Sequence, residues 1–166
     1  MRKEFIMKRA ALLMAILLVP ITTPAGQFTD GNALKGLKSV KVICDVNVGD
    51  PELLLRRIEL IDETYTQLID AGIHPTIIVA FRGPATKFVT LGNGYVSAEH
   101  LTVKKEIQGW IEQFQKNGFS LEQCAIAARS QKVTYDDILP QITLVRNGYI
   151  SIVAYQNKGY ALMPMD

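Results

Sequence analysis

Histidine, cysteine and tryptophan are scarce in this chain of 166 residues, with two, two and one of each. His74 and His100 share no ligand spacing with each other or with a cysteine, so neither a zinc site nor any other metal or cofactor is implied. Also missing are the G-x-S-x-G elbow, the phosphate loop G-x-x-x-x-G-K-S/T and the dinucleotide fingerprint G-x-G-x-x-G, which removes the commonest hydrolase and nucleotide readings. Long apolar runs are absent as well. The longest, from Ala10 to Ile21, is broken at Pro20 and falls short of the roughly 20 residues that span a bilayer core.

That run belongs to a different pattern. Arg2, Lys3, Lys8 and Arg9 precede it and Thr22-Thr23-Pro24-Ala25 follows it, the order of a cleavable export signal over residues 1–25. No cysteine stands near it to take a lipid. A periplasmic or otherwise exported protein, with no stable membrane insertion after cleavage, is the expectation. Four of the 18 basic residues and one of the 16 acidic ones, Glu4, lie in the signal, so Gly26 to Asp166 carries 14 basic and 15 acidic residues, a net charge of −1. The basic balance of the whole chain therefore belongs to the signal, and no nucleic-acid partner is expected. What remains is the size of one domain.

Residues 26–38 lack apolar periodicity and read as a leader. From residue 39 onward, strand-like and helix-like patterns alternate. Val40–Val46 is β-branched and nearly continuous in apolar character, as a strand covered on both faces would be. Asp50 and Pro51 are an N-cap and a first helical residue, opening a helix with a stripe at Leu53, Leu54, Ile58, Ile61, Tyr65, Leu68 and Ile69 that stops near Gly72. Pro75–Phe81 reads as the second strand. A helix from Thr102 to Lys116 is expected to bury Val103, Ile107, Ile111 and Phe114. Phe119–Ile126 reads as a third strand, whose polar residues suggest one thinly covered face. Thr134 is placed to cap a short helix with Asp137 completing a capping box. Ile142–Val145 is a fourth strand, Asn147–Gln156 a helix and Gly159–Met163 the closing strand. The alternation predicts an α/β fold, a three-layer α/β/α sandwich on a mainly parallel sheet of about five strands.

In such a sheet, ligands gather at the carboxyl ends of the strands. The loops there are Asn47-Val48-Gly49-Asp50, Arg82-Gly83-Pro84 and the segment after Cys124. Asp136-Asp137 is most simply a helix start. A reactive cysteine needs thiolate character, which a nearby cation or helix N-terminus supplies. Cys124, at a strand end with Arg129 five residues on, meets that description better than Cys44 inside the apolar first strand. An oxidising compartment also permits a Cys44–Cys124 disulfide, which requires Cα atoms about 4.4–6.8 Å apart.

Several pieces occur in one order: Asp45-Val46-Asn47-Val48-Gly49-Asp50-Pro51, the turn Arg82-Gly83-Pro84-Ala85, a strand-tip cysteine, Asp137-Ile138-Leu139-Pro140, Gly148-Tyr149-Ile150 and Gln156 to Leu162. In this order and spacing the chain resembles the DsrE/DsrF-like family of sulfur-relay proteins, over roughly Val40 to Pro164. The resemblance implies an α/β/α fold, homo-oligomers, a sulfur donor or acceptor protein as partner, and a persulfide carried on Cys124. Arg82 stands where many relatives have histidine before Gly-Pro, and with Asn47 and Gly83 of the strand-end loops it is a candidate for ligand contact. Ala125-Ile126-Ala127-Ala128 departs from the polar segment that commonly follows the cysteine. A non-catalytic binding or subunit-interaction module of the same fold is the other expectation.

Overall fold

The computed structural model describes residues 29–166. The expected export signal therefore lies outside the described residues. The part of the leader that is described contains one helical turn, α1 (Gly31–Leu34).

From Gly36 onward the chain is one compact unit. Five strands, β1 (Ser39–Val46), β2 (His74–Phe81), β3 (Ser120–Cys124), β4 (Thr143–Val145) and β5 (Ala161–Met165), form a single sheet in the order β4-β3-β2-β1-β5. Every pairing is parallel. The helices are α2 (Pro51–Asp70), α3 (Leu101–Lys116), α4 (Ala125–Ser130) and α5 (Gly148–Asn157), with a 3₁₀ segment over Gly83–Phe88. The α/β/α sandwich read from the alternation is what forms.

Strand order explains the layers. From β1 to β3 the chain steps in one direction across the sheet, and right-handed crossovers then place α2 and α3 on the same face. The return from β4 to β5, on the far side of β1, puts α5 on the opposite face. Alternate strand residues divide accordingly. Cys44, Val46, Ile77, Val79, Phe81 and Leu121 join Leu54, Ile58, Ile61, Ile107, Ile111 and Phe114 in the main core. Ile43, Ile78 and Ala80 meet Ile152 in a smaller one. Asp50 caps α2 as its sequence indicates, its carboxylate accepting from the Leu53 amide at 2.8 Å.

Four expectations are corrected. β3 stops at Cys124, and Ala125-Ile126 already belong to α4. Neither face of β3 is thinly covered: Glu122 and Gln123 are both buried, because Tyr155 donates to Glu122 Oε1 at 2.9 Å and Gln123 donates to Thr86 Oγ1 at 2.9 Å. On α3 it is Lys104 rather than Val103 that is fully buried, 1% exposed, since its amine finds Thr90 Oγ1 at 2.8 Å and the Gly92 carbonyl. Desolvation lowers the Lys104 pKa, and Asp137 partly offsets this. Finally, Thr134 makes no side-chain cap, and Asp137 accepts from the Tyr95 hydroxyl instead of closing a capping box.

Candidate functional site

Register decides which side chains can meet. Across the sheet Asp45, Ala80, Glu122 and Thr143 stand in one row. Two residues further along β3, on the same face, lies Cys124. Asp45, Arg82 and Cys124 thus converge at the carboxyl ends of neighbouring strands, on the face that α5 covers. With Asn47, Gly83, Ile126, Ala127, Ser130, Asn147 and Tyr149 in its wall, a cleft of about 400 Å³ opens there, lined also by Arg82 and Cys124. All four candidate residues, Asn47, Arg82, Gly83 and Cys124, line this one cleft.

Arg82 is half of an ion pair. Its Nε and Nη2 donate to the two oxygens of Asp45, the latter at 2.6 Å, and Nη1 donates to the Tyr149 hydroxyl at 3.0 Å. The guanidinium lies 4.7 Å from the centre of the Tyr149 ring. Its pKa is raised, first by the hydrogen bond to Asp45, against a lowering by burial and with smaller charge contributions from Asp45, Tyr149 and Cys124. Arg82 therefore reaches the cleft with its charge largely answered by Asp45. Asp45, a lone acid in an apolar strand, and Tyr149, an aromatic two residues past an Asn cap, are site residues that sequence reasoning missed.

Two glycines set the close approaches. Gly83 has φ 54°, and a Cβ there would collide with Asn47 Oδ1. Gly148, the first residue of α5, lies so close to Cys124 that a Cβ would fall 3.1 Å from its Cβ, 3.6 Å from its Sγ and 3.9 Å from Arg82 Cδ. The absent side chain lets the N-terminus of α5 sit directly over the thiol. Asn147 caps that end, accepting from the Tyr149 amide at 3.0 Å. Tyr149 on Arg82 and Tyr155 on Glu122 then hold α5 to the sheet at both of its ends. Partial positive charge at a helix N-terminus favours an anion in the cleft.

Cys124 is 5% exposed and Cys44 is fully buried, and both are free thiols. The alternative of a Cys44–Cys124 disulfide is overturned by topology. β2 separates their strands, placing them about 9–10 Å apart, and their side chains leave opposite faces of the sheet. Burial pushes the Cys44 thiol up to about 12. Among the described residues no group of three or more His, Cys, Asp or Glu could hold a metal ion, and no helix is long and apolar enough to cross a membrane.

No family model and no curated protein matches the chain. Among solved structures, a protein of unknown function from Methanobacterium thermoautotrophicum is similar in fold, with a TM-score of 0.60 at 18% identity, covering 75% of this chain and 98% of that one.

Proposed function

We propose that this is an exported α/β/α domain that accepts sulfane sulfur on Cys124 and passes it to a partner thiol. The observation that carries this reading is the placement of Cys124: a free thiol at a strand tip, opening on a cleft into which an arginine, two asparagines and a helix N-terminus converge. In the reaction, the Cys124 thiolate attacks the outer sulfur of a donor R–S–SH. The donor S–S bond breaks, its electron pair leaves on R–S⁻, and Cys124 becomes the persulfide Cys124–S–SH. Delivery is the same exchange with Cys124 as leaving group, so no net oxidant is needed. The N-terminus of α5 favours the negative charge on the attacking or leaving sulfur. Tyr149 and Asp45 fix Arg82 as a wall of the cleft.

Incubation with a persulfide donor, followed by mass spectrometry, is expected to show one added sulfur atom that a reductant removes. Cys124→Ser is expected to take up none. No adduct on the unaltered protein, or an adduct that survives in Cys124→Ser, would overturn the proposal.

A second reading, a subunit-interaction module, is favoured by α5 itself. That helix has no charged residue, and Tyr149, Ile150 and Val153 are 61, 62 and 58% exposed. On this reading a second copy covers α5. Ile150→Lys/Val153→Lys is then expected to reduce the mass measured by light scattering to that of one chain, and an unaltered mass would exclude α5 as the contact.

A further inference from the structure

Helix α4 separates two hollows. Ile126, Ala127 and Ser130 face the Cys124 cleft, whereas Arg129 joins Lys132, Val133, Thr134 and Tyr135 around a second hollow of about 380 Å³. We propose that this second hollow is the docking site for an acidic segment of the protein that exchanges sulfur with Cys124. The proposal rests, for the partner's role, on the relay reading above.

Charge is the first argument. Arg129 and Lys132 are both exposed, and neither forms an ion pair among the described residues. Nearby acids do not answer them: the Asp137 carboxylate accepts from Tyr95, and Asp136, exposed beside Tyr135, forms no ion pair with either. What sets this hollow apart is that its lining brings two cations together with no carboxylate among them.

The backbone supplies an independent argument. Helices α2, α3 and α5 each end on a glycine with positive φ, Gly72, Gly118 and Gly159 at 75°, 80° and 82°. The following amide bonds back to Leu68, Phe114 and Tyr155 respectively, a Schellman close. α4 ends in the same way, with the Lys132 amide on Arg129 and the Val133 amide on Ala128, yet its left-handed residue is Lys132 at φ 57°. Glycine takes this conformation without strain and lysine does not. Such strain persists only where the surrounding structure holds it, and it clusters at ligand-binding sites. Lys132 is the one helix end of the four at which the chain keeps a cation in place of the relaxed residue.

The hollow is also held in shape. Tyr95 Oη lies 3.1 Å from Thr134 Oγ1 and accepts from the Thr134 amide at 3.3 Å. Tyr135, 46% exposed, donates to the Ala125 carbonyl at 3.4 Å, next in sequence to Cys124. A peptide suits this place better than a small free anion. Two long cations can hold a carboxylate while the open tyrosine ring offers area for the chain that carries it. One helix diameter, about 10 Å, separates the hollows, which extended chain crosses in about three residues. The partner's acid therefore stands about three residues from its sulfur-bearing cysteine.

The test uses two Gly/Ser peptides, each with one cysteine loaded as a persulfide, differing only in a Glu-Glu or Lys-Lys pair three residues away. At low salt the Glu peptide is expected to load Cys124 about tenfold faster, with the two rates converging as salt screens the charges. Arg129→Glu/Lys132→Glu is expected to invert the preference. Lys132→Gly is expected to weaken it while raising Tm by roughly 2–4 °C, which a merely structural lysine would not combine. Equal rates for the two peptides, or a preference unchanged by the double reversal, overturn the docking site and leave the relay standing. Conversely, fluorescence anisotropy on Cys124→Ser that still favours the unloaded Glu peptide, beside an unaltered protein that takes no sulfur, supports the docking site and overturns the relay.

Discussion

Between about pH 9 and pH 12 the protein is expected to lose stability at about 1.4 kcal/mol per pH unit through Cys44 alone. Cys44 sits on β1, between β2 and β5, with none of its surface exposed, and burial raises its thiol from 9.0 to about 12. A group whose folded pKa is raised contributes its full stability below the unfolded value and surrenders it as pH climbs to the folded one. Here the unfolded chain releases the proton from about pH 9 while the folded chain keeps it, so ΔG falls across that window by about 4 kcal/mol in all. Tyr155, pushed up to about 12 by burial and then by its bond to Glu122, adds to the loss above its own unfolded value. Urea unfolding at intervals between about pH 8 and pH 11, compared with Cys44→Ala, isolates the thiol. The variant is expected to be about 1 kcal/mol less stable at neutral pH through its small cavity, yet to show the flatter slope. Identical slopes would assign the alkaline loss to other groups.

Asp45→Leu is expected to destabilise the fold by about 3 kcal/mol, because it leaves the Arg82 guanidinium with one partner, Tyr149, at a site where it is 17% exposed. A surface pair would cost at most about 1 kcal/mol. Both members are more sheltered than that, with Asp45 at 13%, and the contact is bidentate. Removing both charges together costs less than removing one. Asp45→Leu/Arg82→Leu is expected to return to within about 1 kcal/mol of the original, a coupling that a double-mutant cycle reads directly. Additive losses would show that the two charges do not answer each other.

Legibility in the sequence followed how local each determinant is. The start of α2 was plain because Asp50 and Pro51 act within one turn, and β1 was plain because its β-branched residues run nearly continuously, as in a strand covered on both faces. β3 was misjudged because Glu122 and Gln123 are buried by partners 33 and 37 positions away, Tyr155 and Thr86, which no local pattern reveals. Lys104 replaced Val103 in the interior for the same reason, its amine being met by Thr90 and Gly92 across a loop. In the site, the strand-tip rule led to Asn47, Arg82, Gly83 and Cys124, which do share a cleft. Asp45 and Tyr149 escaped because the rule names loops, whereas one lies within a strand and the other on α5. The absence of a clear apolar stripe on α5, whose outward residues are as apolar as its inward ones, also made that helix hard to delimit.

The position of β5 beside β1 has a consequence for biosynthesis. As the chain emerges, β1, β2, β3 and β4 can assemble in order, but one side of β1 keeps its backbone groups unpaired and Ile43, Ile78 and Ala80 have no cover. Both needs are met together, by α5 and then β5, after nearly all of the sheet has been made. Until then β1 is a sticky edge beside a bare apolar face, the surface that invites wrong pairings and that chaperones recognise. Closing the sheet with α5 and β5 is therefore the step at which this fold is most open to wrong pairing.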